Sequence, residues 1–238
     1  MVRRLLGGGV AIALALAAAP PAHAAKIEKL DKLGKEAHFA FVEQAAVARA
    51  QPKAAARKVG KLTKRSPEGT DDLVAVIART TDSKDRVWLK VRLPIRPNGT
   101  TGWVPENALD ELQPVDTWLR ISTKTFKATL IKDGKRVFSA QIGVGQSQWP
   151  TPRGQFFIRA MLKDYGSAGS FYGPLAFITS ATSDTLTDWP GGGVVGIHGT
   201  SVPGLIPGKI SHGCVRLRNA DILKLAKLMP VGTPVTVT

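Results

Sequence analysis

Ser211-His212-Gly213-Cys214-Val215-Arg216-Leu217 holds the only cysteine of the 238-residue chain and one of its four histidines. In an extended segment alternate side chains share a face, so His212, Cys214 and Arg216 project together, whereas a helix sets His212 and Cys214 apart. An extended or turning path is therefore the one that gathers chemistry. Gly213 carries no Cβ, so its backbone N–H and that of Cys214 can approach a carbonyl oxygen closely and act as an oxyanion hole. A free thiol of pKa about 8.5 is only slightly ionised at neutral pH; imidazole neighbours and the Arg216 cation are expected to lower it until thiolate is the majority form. Arg216 can alternatively hold a substrate carboxylate. His198, upstream, is the second imidazole near the thiol, while His23 and His38 lie far from it in sequence. The residues alone leave the choice of base between His198 and His212 open.

The chain around this motif begins with an export signature. Arg3-Arg4 precede an apolar run from Leu5 to Ala19, and Ala22-His23-Ala24 supplies a small-x-small cleavage site, so residues 1–24 are expected to be a signal peptide. The run is too short to span a bilayer comfortably and no second one follows. The mature protein is thus expected in the periplasm, the cell wall or the extracellular space, without a stable membrane span. An exported chain with a single cysteine has no internal disulfide, and its thiol is buried and inert, paired between chains, or reactive. With 43% apolar and 21% charged residues the chain is globular and not disordered. The 33 lysines and arginines against 18 acids give +15, which points to an anionic polymer nearby and leaves the fold open.

Downstream of the motif, Asn219 can cap a helix whose Ile222, Leu225, Ala226 and Met229 fall at helical spacing. Pro230 and Gly232 stop it, and Val235-Thr236-Val237 reads as a last strand. Upstream, Phe126, Ala128 and Leu130 alternate with their neighbours, Asp133-Gly134 supplies a hairpin turn, and residues 137–145 return. This second domain is placed at 117–238, after a linker at 113–116. Before it, Leu73–Arg79, Val87–Leu93 and Thr101–Pro105 read as short strands separated by Asp82-Ser83-Lys84-Asp85 and Pro97-Asn98-Gly99, a pattern that fits a small barrel over 45–112. Residues 25–44 read as a partly ordered leader. Arg49, Lys53, Arg57, Lys58, Lys61, Lys64 and Arg65 follow one another without an acid between them, as a solvated face or as a strip for anionic wall or membrane-surface polymer.

Two resemblances sharpen this outline. Trp88-Leu89-Lys90-Val91 with Gly102-Trp103-Val104-Pro105 resembles the bacterial SH3-like domain. His198-Gly199 followed by Ser211-His212-Gly213-Cys214-Val215-Arg216-Leu217 resembles the signature of the L,D-transpeptidase catalytic domain of bacterial cell-wall enzymes, and Gly145 with Pro150-Thr151-Pro152-Arg153-Gly154-Gln155-Phe156, Tyr172-Gly173-Pro174 and Asn219-Ala220-Asp221 extend the likeness. The implied fold class is mainly β: a small SH3-like barrel followed by an L,D-transpeptidase β-sandwich with short helices. The implied roles are Cys214 as nucleophile and His198 as general base and acid, its ring held by the Gly199 backbone carbonyl. His212 and Ser211 support the pocket, backbone N–H groups around Gly213 bind the oxyanion, and Arg216, Ser211 and Tyr172 contact substrate. Position 199 is Gly where other members carry Ser, which costs nothing if only the carbonyl is used. The implied reaction joins peptidoglycan stem peptides by acyl transfer through a thioester, or hydrolyses them when water replaces the amine, with no cofactor, no metal and no nucleic-acid partner.

Three rival readings compete. His198, His212 and Cys214 are zinc-type ligands, but His-x-Cys is shorter than the usual pair spacing and no fourth ligand presents itself. A wall-binding scaffold built on a degenerate enzyme fold is expected to have lost Cys214 or His198, and both are present. A papain-like protease has a different local cysteine motif and the opposite chain order. Trp149 and Trp189 flank the motif segments and can line a groove, and Gly191-Gly192-Gly193 reads as a rim of the cleft, not a phosphate cradle.

Overall fold

The computed structural model describes residues 26–163, 170–186 and 193–238. The expected signal peptide, Trp189, Gly191 and Gly192 lie outside the described residues. Among the described residues no helix is long and apolar enough to cross a membrane.

The chain is mainly β. Its first sheet contains β1 (Glu28–Lys29), β2 (Ala37–Phe41), β3 (Ala46–Arg49), β4 (Lys58–Leu62), β5 (Leu73–Thr81), β6 (Val87–Arg92), β7 (Thr101–Pro105) and β8 (Gln113–Val115). They lie in the order β4-β3-β7-β6-β5-β2-β8, with β1 also on β5. The sheet takes in residues that the sequence suggested were a leader and a linker. Ala37–Phe41 pairs with both β5 and β8, so 25–44 and 113–116 contribute strands to it. Trp88 and Trp103 are buried against Ala78, as packing and not as an exposed platform.

The second sheet contains β9 (Thr117–Ser122), β10 (Lys127–Lys132), β11 (Lys135–Gln141), β12 (Gly143–Gly145), β13 (Gly154–Lys163), β14 (Leu175–Thr182), β15 (Val194–His198), β16 (Gly208–Ser211), β17 (Val215–Arg216) and β18 (Pro234–Val237). The Asp133-Gly134 turn between β10 and β11 takes positive φ at both residues, the conformation that a two-residue hairpin requires. β13 pairs with β18 through its first half and with β14 through its second, with a register shift at Ile158–Ala160. It therefore turns a corner, and Leu119, Leu130 and Phe138 of one half pack with Phe177, Ile197 and Val215 of the other in a single core. Among the described residues the one α-helix, α1 (Asn219–Ala226), closes this core with Ile222 and Leu225.

The two sheets share a seam that strand alternation makes. On β5, Val74 and Val76 enter the first core while Leu73 and Ala75 face the seam; on β13, Phe156 and Ile158 enter the second core while Phe157 faces the same seam. Arg159, two residues on, is buried there and donates to Asp72 Oδ1 at 2.8 and 3.2 Å, with Glu68 at 3.6 Å.

Candidate active site

β15 and β17 run parallel, with Ile197 opposite Val215 and His198 opposite Arg216. One step of the pleat back, the Gly196 N–H donates to Cys214 Sγ at 3.4 Å. Alternation then sends His198 from one strand and Cys214 and Arg216 from the other into a common cleft of about 100 Å³. A Cβ at Gly196 would stand 3.9 Å from both Cys214 Sγ and His198 Cδ2, in ordinary van der Waals contact with sulfur and imidazole alike.

His198 is buried, and its Nδ1 lies 2.7 Å from the Gly199 carbonyl oxygen. A carbonyl only accepts, so Nδ1 carries the proton and the neutral ring keeps its lone pair on Nε2. Burial lowers the His198 pKa from 6.5 to about 4, helped by the Arg216 charge and opposed by the Gly199 and Tyr172 carbonyls. Burial also pushes the Cys214 thiol up, outweighing the Gly196 N–H and the Arg216 charge. The expected majority thiolate is therefore not what this environment favours at rest: desolvation exceeds the two stabilising contacts, and thiol and imidazole are both neutral at pH 7.

The 211–217 segment is not a continuous strand. It turns between β16 and β17 at Gly213, whose φ of +115° suits glycine alone. The Gly213 N–H, expected in the oxyanion hole, donates instead to Ser211 Oγ at 3.1 Å, and Ser211 Oγ in turn donates to the Cys214 carbonyl. The Cys214 N–H has no partner among the described residues. His212 is exposed and lies against Trp149, with ring centroids 4.2 Å apart. Ser211, His212 and Tyr172 all line the cleft.

Arg216 is 5% exposed, with Phe171 over its guanidinium at 4.3 Å. Its Nε has no hydrogen-bond partner among the described residues. Among the described residues no carboxylate lies within ion-pair distance of it. The Tyr172 ring meets the His198 ring edge-on at 5.0 Å.

Two residues of the quoted motifs hold the site in ways the sequence did not indicate. The Thr151 hydroxyl donates to the Gly213 carbonyl at 2.8 Å and accepts from the Gly145 N–H at 2.9 Å, tying the Pro150-Thr151-Pro152 segment to the Cys214 turn. Asn219, read as a helix cap, is the first helical residue and makes no cap; its Oδ1 accepts the Thr200 N–H at 2.9 Å. A Cβ on Gly199 would come within 2.4 Å of that Oδ1, and one on Gly173 within 2.5 Å. A larger residue at 199 would thus require the Asn219 amide to shift from its contact with Thr200. Gly173 and Gly199 lie far from Asn219 in the sequence, so no local pattern could have brought the three together.

The model of the YkuD L,D-transpeptidase catalytic domain matches residues 116–237, the span of the second sheet. YkuD of Bacillus licheniformis, which carries an L,D-transpeptidase name, is 35% identical over 97 residues, 41% of this chain and 50% of its own. YkuD of Bacillus subtilis, similarly named, is 31% identical over 125 residues, 52% of this chain and 66% of its own. The chain thus spans half to two thirds of these curated relatives. The solved catalytic domain of the E. faecium L,D-transpeptidase aligns at 24% identity over 52% of this chain and 97% of that one, with a TM-score of 0.38. The chain belongs to the L,D-transpeptidase family through its YkuD-type catalytic domain.

Proposed function

We propose that this chain is an exported peptidoglycan L,D-transpeptidase with Cys214 as nucleophile and His198 as general base and acid. The observation that carries this reading is the shared cleft of His198, Cys214 and Arg216 across β15 and β17, with His198 Nδ1 committed to the Gly199 carbonyl. Because both partners are neutral at rest, the thiol proton passes to Nε2 of His198 as sulfur attacks the carbonyl of the third-position diamino acid of a donor stem. The negative charge forms on the carbonyl oxygen, where the Cys214 N–H donates to it. Collapse breaks the peptide bond, and the D-alanine amine leaves with the proton from His198. A side-chain amine of a second stem then attacks the thioester while its proton moves to His198. The thiolate departs, recovers that proton, and a cross-link between third residues remains. Water in the amine's place makes the same site a carboxypeptidase.

Arg216, buried and without a carboxylate partner among the described residues, fits a donor-stem carboxylate; Tyr172 and Ser211 border the same cleft. In the first sheet, read as an SH3-like module over 45–112, Lys53, Arg57, Lys58 and Lys61 are exposed, which supports contact with anionic wall polymer. Intact-mass analysis of the mature chain with a carbapenem is expected to show an adduct in the wild type and none in Cys214→Ala. Product masses from a defined tetrapeptide, with and without an acceptor amine, separate transfer from hydrolysis. An equal adduct in Cys214→Ala, or equal loss of turnover in His198→Ala and His212→Ala, overturns the assignment.

A further inference from the structure

The loop between β6 and β7, in the first sheet, reaches over to the catalytic sheet and grips the end of β14. Asn98 does this through both ends of its side-chain amide. Its Nδ2 donates to the Thr182 carbonyl at 2.7 Å, and its Oδ1 accepts from the Thr182 N–H at 3.0 Å and from the Thr182 hydroxyl at 3.2 Å. The opposite side of Thr182 pairs with Val194 of β15, so Asn98 acts as one more rung of the ladder. The Asn98 Nδ2 also donates to the Asp184 carboxylate at 3.1 Å.

Two residues earlier, Arg96 takes the next carbonyls. Its Nε and Nη2 donate to the Ser183 oxygen at 3.2 and 3.0 Å, and Nη2 donates to the Leu186 oxygen at 3.3 Å. The same guanidinium lies under Gly193, where a Cβ would come within 2.8 Å of Nη2. Ser183 accepts the hand-off on the inside: its N–H donates to the Gly193 carbonyl at 2.7 Å, and its hydroxyl accepts the Leu186 N–H at 3.0 Å.

Ser183, Leu186 and Gly193 are wall residues of the cleft that holds Cys214, His198 and Arg216. Among the described residues, 183–186 of that wall are irregular backbone without a ladder partner on the outer side, and a segment of this kind depends heavily on its side-chain bonds. Some of those bonds are made within the wall by Ser183, and the others come from Arg96 and Asn98 of the other sheet. We infer that Arg96 and Asn98 are positioning residues for the substrate cleft, so that the first sheet is a working part of the peptide-binding site and not only an appendage. Their effect falls on how well the donor peptide is bound, because neither touches Cys214 or His198. The inference rests on the reading of the cleft as the donor-peptide site.

The test uses the full mature chain with Asn98→Ala and Arg96→Gln, and Arg96→Lys as a milder variant that keeps the charge and loses the fork. Steady-state turnover of a soluble tetrapeptide stem, alkylation of Cys214 by iodoacetamide, and hydrogen exchange over 182–186 are measured together. Asn98→Ala is expected to raise KM by about tenfold and change kcat by less than about threefold, the pattern of lost binding without lost chemistry. Exchange over 182–186 is expected to speed up, Cys214 alkylation to stay at the wild-type rate, and Arg96→Lys to fall between wild type and Arg96→Gln. Unchanged KM, or unchanged exchange at Thr182, overturns the inference. A fall in kcat with slowed alkylation overturns it as well, since that reports general damage to the site. Should the wild type itself fail to turn over the peptide, the reading of the cleft falls, and the exchange measurement still decides whether these two side chains hold the wall.

Discussion

Arg159 at the seam and Arg216 in the cleft stand on strands of one sheet, 6% and 5% exposed, and their surroundings compensate them in opposite ways. Arg159 meets Asp72 in a two-pronged hydrogen bond and Glu68 at 3.6 Å, both from the other sheet. Arg216 meets an aromatic face and the neutral Cys214, and among the described residues its Nε is unsatisfied. Burying a cation is costly unless it is paired. The seam answers most of that cost within the chain, through Asp72, although Glu68 Oε2 makes no hydrogen bond among the described residues. The cleft leaves it open, which is the condition expected of a group that waits for an anion.

The largest effect is expected at the seam. Arg159→Met leaves Asp72 buried and Glu68 half-buried without their cation, and removing one partner of a buried pair costs about 3–5 kcal/mol of folding free energy. Denaturant unfolding checks this. A loss below about 1 kcal/mol, the scale of an exposed pair, would make the seam equivalent to a surface contact and break the contrast.

His198 gives a pH signature on the cleft side. Below about pH 6.5 the unfolded chain binds a proton on this ring that the folded chain refuses until about pH 4. The unfolded state then carries the extra proton, so stability is fully present above the unfolded value and falls as pH drops through this window, by about 3 kcal/mol in all. In His198→Asn that part of the slope is expected to disappear. Unfolding curves of the two proteins that stay parallel between about pH 4 and 6.5 would show the imidazole to be hydrated in the folded state.

Arg216→Met is expected to separate function from stability. Losing a charge-assisted hydrogen bond to substrate costs about 2–3 kcal/mol, or roughly 30- to 150-fold in kcat/KM for a stem peptide. Folding stability is expected to hold or rise, because an uncompensated buried cation is removed. A stability loss as large as that of Arg159→Met would mean that Arg216 is a structural ion.

Much of this arrangement was legible in the residues. The continuous apolar run Leu73–Ala78 and the Gly154–Lys163 strand alternate between two buried faces, and period two suffices to send Phe157 and Leu73 to one seam once the sheets are known to touch. Asp133-Gly134 marked its hairpin, and the His-Gly-Cys motif marked the cleft. What escaped was long-range or depended on burial. Glu28–Lys29 is too short to show a strand pattern and is a strand only because β5 lies beside it. Asn98 reads as an ordinary turn residue until Thr182, far along the chain, is placed against it. The direction of the Cys214 shift also lay beyond local reading, since neighbouring cations argue for a low value and only the packing around the sulfur shows that desolvation exceeds them.

That last point yields the smallest expected effect. Iodoacetamide reacts with thiolate, so its rate on Cys214 follows the ionised fraction. With the thiol pushed above its ordinary value by burial, the rate is expected to climb about tenfold per pH unit from about pH 6 to 8 without a plateau. Arg216 lies close enough for its charge to favour the thiolate, and Arg216→Met is expected to slow alkylation at pH 7 by about threefold, the scale of a partly screened charge pair. Arg159→Met, on the seam, is expected to leave it unchanged. A plateau reached below about pH 7 would instead reveal a preformed thiolate–imidazolium pair. The two arginines would then differ less than their surroundings indicate, because Arg216 would already have its anion in the resting protein.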